Sequence, residues 1–167
     1  FAQLRAPMGK FSILGNHDYG DYTVWSSKEE KEHNLKTLIK TQEEMGFSVL
    51  LNETHFLEKN GQRLALVGVE NWGKGGFKKA GDLDKAVQQV AKDDFKILLS
   101  HDPSHWEEKV LPHAYPFQLT LSGHTHGMQF GIEIPGWFKW SPVKWRYKQW
   151  AGLYTEQQQW INVNRGF

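Results

Sequence analysis

The sequence predicts an α/β fold in which mixed β-sheets are flanked by helices. Short apolar runs alternate with amphipathic stretches along the chain, and several of these runs end directly in polar loops. This alternation is typical of α/β folds. The length of 167 residues suits about one domain, and the 39% hydrophobic and 23% charged residues exclude a disordered chain.

The first half of the chain is predicted to contain two strands, one helix and one hairpin. The helix has Leu35, Leu38 and Ile39 on one face and ends at Gly46. Asn60-Gly61 is a strong hairpin signal, because both residues tolerate positive φ. The predicted segments are strands at 10–14 and 47–51, the helix at 28–45, and a hairpin of 55–58 with 62–69.

The second half is predicted to contain a helix over 82–92 and strands over 96–99 and 117–121. Beyond residue 127 the chain becomes rich in Trp, Gly and Pro, and its periodicity is weak. We therefore expect residues 1–167 to form a single truncated domain. Residues 1–127 are its motif-bearing part, and residues 128–167 are an aromatic-rich carboxyl-terminal segment.

Composition excludes several classes of protein. Twenty basic and nineteen acidic residues leave a net charge of +1, which predicts no specific nucleic-acid partner. The absence of cysteine excludes a disulfide framework, a thiolate zinc site and a cysteine nucleophile. The sequence has neither a signal pattern nor the run of about 20 apolar residues that a membrane helix needs. The cellular location is left open.

Histidine-containing loops follow three of the predicted strands. They are Gly15-Asn16-His17-Asp18, Ser100-His101-Asp102 and Gly123-His124-Thr125-His126. Ligands gather beyond the carboxyl ends of strands in α/β folds, so we expect these loops to converge. Neutral imidazole is the commonest side-chain metal ligand, and an asparagine supplies a carboxamide oxygen. The three loops together predict a metal site.

The spacing of His124 and His126 leaves two geometries open. In a strand both side chains lie on one face and serve one cluster, whereas in a tight turn they serve two adjacent ions. Most single histidines are structural, so we assign His33, His55 and His113 to structure or solvent. His105, four residues after His101, is the one further candidate near the site.

These three loops resemble the last three motifs of the calcineurin-like metallophosphoesterase superfamily. The resemblance runs from Phe11 to about Gly136 and implies a partial metallophosphoesterase sandwich. Residues 127–131 are similar to a bacterial phosphohydrolase subgroup that often carries an amino-terminal membrane anchor. Met128 stands where that subgroup has a second glycine. A membrane-anchored parent protein is therefore an expectation.

The resemblance also implies roles for individual residues. Asn16, His101 and His124 would bind the second metal, and His126 would bind the first. His17 would protonate the leaving group or hold the phosphoryl oxygens, with Asp18 orienting its ring. The implied reaction is phosphoester hydrolysis by a hydroxide held between two divalent metals ~3.5–4 Å apart, which attacks phosphorus in line. Mn, Zn, Fe, Ni and Co all suit such ligands.

The first two motifs of the superfamily, Asp-x-His and Gly-Asp, are absent from this sequence, and residues 1–15 contain no Asp or Glu. The second of these motifs supplies the carboxylate that bridges the metals. We therefore expect the isolated chain to be inactive and to bind at most one ion weakly. We also expect an exposed sheet edge that favours self-association.

Aromatic and basic residues alternate near the end of the chain. Five of the eight Trp residues lie at 137, 140, 145, 150 and 160, among Lys139, Lys144, Arg146 and Lys148. We prefer the interpretation that this segment packs across a sheet edge. The alternative function is a non-catalytic binding module, in which residues 137–150 contact lipid headgroups, glycan or single-stranded nucleic acid. The Gly-rich residues 71–77 are predicted to form a loop at the rim of the site.

Overall fold

A computed structural model of the chain describes residues 1–127, 131–134 and 136–166, without the side chain of Lys139. Residues 128–130 lie outside the described residues, and so does most of the segment that is similar to the bacterial subgroup. No helix in the described part is both long enough and apolar enough to cross a membrane.

The described residues form strands, two α-helices and two helical turns of other types. A π-helical turn spans Trp106–Val110 and a 3₁₀ turn spans Pro142–Trp145. The helices are α1 (Lys28–Glu44) and α2 (Leu83–Ala86). The strands are β1 (Lys10–Ser12), β2 (Phe47–Val49), β3 (Glu53–Lys59), β4 (Gln62–Gly68), β5 (Phe95–Leu99), β6 (Leu119–Ser122), β7 (Ile132–Ile134), β8 (Phe138–Trp140), β9 (Gly152–Glu156) and β10 (Gln159–Val163).

Local signals placed α1 and the β3–β4 hairpin correctly. Ser27 caps α1, since its hydroxyl accepts a hydrogen bond from the Glu30 backbone N–H at 3.1 Å. The chain leaves the helix at Gly46, which has a φ of +84°. Asn60 and Gly61 both have positive φ in the hairpin turn, at +52° and +73°. These predictions are confirmed.

The helix predicted over 82–92 is much shorter than expected. Asp82 caps α2, but the helix ends at Ala86, and Val87 has left the helical region with φ −100° and ψ 10°. Turns carry the chain onward, and Val87 and Val90 are still buried. The apolar spacing therefore identified core residues correctly, although turns rather than a continuous helix present them.

The main sheet has six strands in the order β3-β4-β5-β6-β10-β9. β4, β5, β6 and β10 are parallel to one another, and β3 and β9 pair antiparallel at the two edges. The loops after β5 and β6 therefore leave from the same end of the sheet. β10 lies within the 128–167 segment, so the end of the chain is part of the central sheet.

The main sheet lies between two layers. On one face, Ala65, Val67 and Val69 join a core with α2 and the π-helical turn, which contributes Trp106 and Val110. On the other face, Gly68 meets the side chain of Leu50, which follows β2. β1 and β2 form a parallel pair, and Leu14 and Val49 near this pair pack against α1. The fold is therefore an α/β sandwich with mixed sheets, as predicted.

The β9–β10 hairpin was not predicted. The burial of β10 alternates residue by residue, with Gln159, Ile161 and Val163 inward and Trp160 and Asn162 outward. Period-two burial is the strand signature, but two of the five residues run against the usual polarity. Gln159 is buried because its side-chain carbonyl accepts a hydrogen bond from the Phe117 N–H at 2.9 Å. The inward-facing Gln159 breaks the apolar alternation that would have predicted β10.

Candidate metal centre

The three predicted loops meet at one end of the sandwich. Asn16 follows β1, while His101 and His124 follow the parallel strands β5 and β6. Gly15 permits the close approach of the first loop, because a Cβ at this position would lie 2.8 Å from two ring atoms of His101. Residues far apart in the sequence are thereby brought into contact.

Three donor atoms form a small triangle at the centre of the site. Asn16 Oδ1 lies 2.9 Å from His101 Nε2 and 3.0 Å from His124 Nδ1. The two ring nitrogens are 3.2 Å apart. We call Asn16, His101 and His124 the ligand triad.

The ligand triad fits one divalent cation. Ligand atoms bonded at about 2.1 Å to a tetrahedral or octahedral cation lie about 3.0–3.4 Å from one another. The 2.9–3.2 Å separations come close to this range before any adjustment. Two imidazole nitrogens and one carboxamide oxygen are also a donor set that first-row divalent metals accept.

Neighbouring groups turn the donor atoms toward one another. The Asn16 amide N–H donates to the hydroxyl of Tyr22 at 2.7 Å, so the Asn16 carbonyl oxygen faces the histidines. His124 Nε2 lies 2.9 Å from the Tyr147 hydroxyl and 3.3 Å from Asp102 Oδ2. A proton on Nε2 satisfies these oxygens and leaves a lone pair on Nδ1. Metal-binding histidines are commonly held this way by a second partner.

Burial keeps the two histidines of the triad neutral. Desolvation, with a smaller contribution from the nearby His124, lowers the pKa of His101 to about 4. Desolvation also lowers the pKa of His124 to about 4, with additional contributions from His126 and Arg146. His124 and Asp102 therefore do not form an ion pair near pH 7, because the ring is neutral. Neutral imidazole is the form that binds a metal.

Asp102 is a fully buried carboxyl group beside the triad. Burial raises its pKa, while hydrogen bonds from the Ser104 N–H at 2.8 Å and the Ser104 hydroxyl at 2.7 Å oppose that shift. The sequence placed Asp102 in a loop of the site but gave it no role. Tyr147 was also not predicted as a site residue, because it was one of several aromatic residues in the terminal segment.

His124 and His126 lie in a turn rather than in a strand. β6 ends at Ser122, and both histidines have positive φ, +66° and +54°. Left-handed backbone costs a non-glycine residue about 1 kcal/mol or more, and such conformations cluster at functional sites. The Thr125 hydroxyl donates to the Trp150 carbonyl at 2.7 Å and so fastens this turn to the terminal segment. The strand geometry considered for this pair was wrong, and the turn geometry is present.

The other predicted site residues lie around the triad. His126 is exposed and shares a cavity of about 380 Å³ with His101 and His124. His17 is exposed and stacks on Tyr22, with ring centroids 4.5 Å apart. Asp18 accepts a hydrogen bond from the Gly15 N–H at 2.7 Å, which holds the loop. The ring of His17 is thus placed by Tyr22.

Within the described residues, no three His, Asp or Glu side chains gather around a single metal position. The triad reaches three ligands only because Asn16 contributes one. His105, the further candidate near the site, is a core residue: it is 1% exposed, bonds the Ser100 hydroxyl at 2.8 Å and stacks on Trp72.

The Gly-rich loop lies at the rim of the site, as predicted. The Phe77 ring meets the His124 ring edge-on at 4.9 Å between centroids. A Cβ on Gly73 would lie 2.5 Å from Asp102 Oδ2, so this glycine lets the loop approach the buried carboxylate.

Comparisons with known proteins concern the family and the fold of the chain. A family profile for calcineurin-like phosphoesterases matches residues 1–128. The uncharacterized metallophosphoesterase YkuE of Bacillus subtilis is 31% identical over 165 residues, which is 98% of this chain and 51% of that protein. The UDP-2,3-diacylglucosamine pyrophosphatase LpxG of Chlamydia muridarum is 29% identical over 163 residues, 79% of this chain and 48% of that protein. The chain thus spans about half the length of both relatives.

A solved structure shares the fold. It is the sulfate thiohydrolase SoxB of Thermus thermophilus, with a TM-score of 0.51 at 16% identity, covering 92% of this chain and 27% of that one. At this identity the similarity concerns the fold alone.

Proposed function

Because the chain belongs to the calcineurin-like phosphoesterase family, we propose that it supplies half of the metal site of a phosphoester hydrolase. The observation that carries the proposal is the ligand triad. Three acceptor-bearing groups, buried or half-buried, face one another at 2.9–3.2 Å, and a cation satisfies all three at once.

In this proposal Asn16, His101 and His124 hold one divalent cation, drawn from Mn, Zn, Fe, Ni or Co. A divalent cation supplies positive charge for phosphoryl oxygens and lowers the pKa of water. Asp102 and Tyr147 keep the proton of His124 on Nε2, and Tyr22 keeps the Asn16 oxygen turned inward.

The remaining roles in this proposal are those that the family resemblance implies. His17 stands at the solvent edge, where a leaving group departs, and acts there as a proton donor or binds phosphoryl oxygen. Asp18 fixes the loop that carries His17 through its bond to the Gly15 N–H. His126, which is exposed and lines the same cavity as His101 and His124, is assigned to the other metal of the whole protein.

The two-metal, in-line mechanism belongs to the whole protein in this proposal. Asp102, the carboxyl group beside the triad, lies near Nε2 of His124 and not near Nδ1, the ring nitrogen that faces Asn16 and His101. Residues 1–167 are then one truncated domain with a single weak metal site, and the isolated chain does not turn over substrate. Hydrolysis of bis(p-nitrophenyl) phosphate by this chain at the rate of the whole protein would overturn the claim of inactivity.

Zinc titration by calorimetry tests the triad. We expect the metal-free chain to bind one zinc ion and His101→Ala to bind it at least about tenfold more weakly. His33→Ala is the matched control, because His33 is exposed on α1 and should leave the affinity unchanged. Equal affinities for the wild type and His101→Ala would contradict the proposal.

A second candidate function is contact with a membrane surface, and the β7–β8 hairpin favours it. Ile132 pairs with Trp140 and Ile134 with Phe138, so four apolar side chains share one face of the hairpin. Ile132 and Ile134 are 57% and 44% exposed. The opposite face carries Glu133, which pairs with Arg165.

Exposed aromatic and basic side chains flank this apolar face. Trp137 and Trp145 are 81% and 76% exposed, and Lys144 is exposed beside Trp145. This combination suits the headgroup region of an anionic bilayer. The predicted packing of the terminal segment applies instead to Tyr147 and Trp150, which are buried. The membrane anchor expected on the whole protein remains a separate prediction.

Flotation with vesicles containing phosphatidylglycerol tests this candidate. We expect the chain to float with the vesicles, and the double variant Trp137→Ala/Trp145→Ala to lose binding. Trp160→Ala is the control, because Trp160 is 45% exposed on β10, outside the hairpin. Equal flotation of the double variant and the control would exclude the hairpin as the contact.

Self-association through a sheet edge is the last part of the proposal. β9 forms one edge of the main sheet, and Leu153 on this strand is 59% exposed. Open strand edges pair readily with other chains. A single monomeric mass in light scattering across micromolar concentrations would argue against it.

A further inference from the structure

A cleft of about 310 Å³ opens directly beside the ligand triad. Asn16 is part of its wall, so the cleft and the triad share a residue. Tyr22 and Phe77 form aromatic walls, and Lys78 and Arg146 bring two cations to the opening. This volume is at the lower end of the range for small-molecule sites.

The two cations of the cleft are available to a ligand. Among the described residues, neither Lys78 nor Arg146 has an ion-pair partner. The carboxylate of the cleft, Asp21, is engaged with Lys31. The cleft therefore has an excess of positive charge beside the place where the proposed cation would sit.

Arg146 is held in place by aromatic rings rather than by an acid. Its guanidinium lies 5.1 Å from the Phe77 ring centroid and 5.7 Å from that of Tyr147. A guanidinium has five N–H donors in a planar fork, and phosphate matches that fork.

Phe77 and Tyr147 connect this cation to the metal site. The Phe77 ring contacts His124 edge-on, and the Tyr147 hydroxyl lies 2.9 Å from His124 Nε2. Phe77 and Tyr147 therefore each contact both Arg146 and the triad residue His124. A substrate whose reacting phosphoryl group sits at the triad would direct an adjacent group into the cleft.

We infer that this cleft binds the second phosphate of a diphosphate-linked substrate, through Arg146 and Lys78. The inference rests on the proposed function, because it assumes that the reacting phosphoryl group lies at the ligand triad. It narrows the substrate class from phosphoesters in general to compounds that carry a second anionic phosphate next to the scissile bond.

Anion titration of the metal-free chain tests the cleft separately from the metal site. Inorganic pyrophosphate and inorganic phosphate are titrated at matched ionic strength, and the ¹H–¹⁵N signal of the Arg146 side chain is followed by NMR. We expect pyrophosphate to shift this signal and to bind at least about tenfold more tightly than phosphate. Malonate, a dianion without phosphorus, should bind like phosphate or more weakly.

Paired variants give the decisive comparison. Arg146→Ala should lower pyrophosphate affinity about tenfold, whereas Lys144→Ala, two residues away and outside the cleft wall, should not change it. Both variants remove one positive charge from an exposed position, so overall charge cannot explain a difference. Equal losses in the two variants, or equal binding of phosphate and pyrophosphate, would overturn the inference. Failure of the zinc titration alone would instead overturn the metal-site proposal.

Discussion

Gly15→Ala tests whether close packing of two loops builds the ligand triad. The added methyl group would lie 2.8 Å from His101 Cε1 and Nδ1 and 3.0 Å from Cγ. Non-bonded carbon atoms need about 3.5 Å, so the ring must move by about 0.7 Å. Gly15 has no positive φ, so the effect is steric and not a backbone penalty.

A shift of this size is large for a metal ligand. Coordination distances tolerate about 0.2 Å, and His101 Nε2 is a corner of the triad. We expect zinc affinity to fall by about 10- to 100-fold, the loss typical of a displaced ligand or of its lost support. The fold should persist, because His101 lies in a loop and is only partly buried.

Calorimetric zinc titration measures the effect, with melting curves recorded in the presence of a chelator to confirm folding. Gly76→Ala is the matched control, since a Cβ there meets nothing within 4 Å and its φ is not positive. If Gly15→Ala and Gly76→Ala bind zinc equally well, the close approach of Gly15 to His101 does not shape the site.

Three predictions concern stability and are checked by urea unfolding. Gly68→Ala overpacks against Leu50 and should cost about 1–3 kcal/mol. The double variant Gly68→Ala/Leu50→Ala should lose less stability than the sum of the two single variants, because Leu50→Ala makes room for the added methyl group. Strictly additive losses would refute the contact between residues 68 and 50. Ser27→Ala removes the α1 cap and should lower the free energy of unfolding by about 1 kcal/mol. An unchanged free energy of unfolding would show that solvent replaces the cap. Burial lowers the pKa of His105 to about 3, below the usual value near 6.5. The unfolded chain therefore binds the proton first, and His105 should cost about 1.4 kcal/mol of stability for each pH unit between about 6.5 and about 3, below which both states are protonated. His105→Gln should make this slope shallower, and an unchanged slope would contradict it.

Short-range signals identified those elements whose chemistry is local. The helix at 28–44 and the Asn60-Gly61 turn depend on residues a few positions apart, and both occur where predicted. α2 was predicted too long. Apolar spacing indicates which residues face the core, but it does not distinguish a continuous helix from a series of turns. β10 was missed because its inward Gln159 is satisfied by Phe117, 42 residues away.

The sequence by itself determined the α/β class, the family and the three histidine loops, because each depends on residue types at fixed spacing within a short segment. Only the tertiary structure decided that Asn16, His101 and His124 approach within 3.2 Å. It also decided that Asp102 and Tyr147 hold His124, and that Arg146 stands over Phe77 beside them. The physical reason is that parallel pairing of β5 with β6 and the close approach of Gly15 set these distances, and neither is encoded by neighbouring residues.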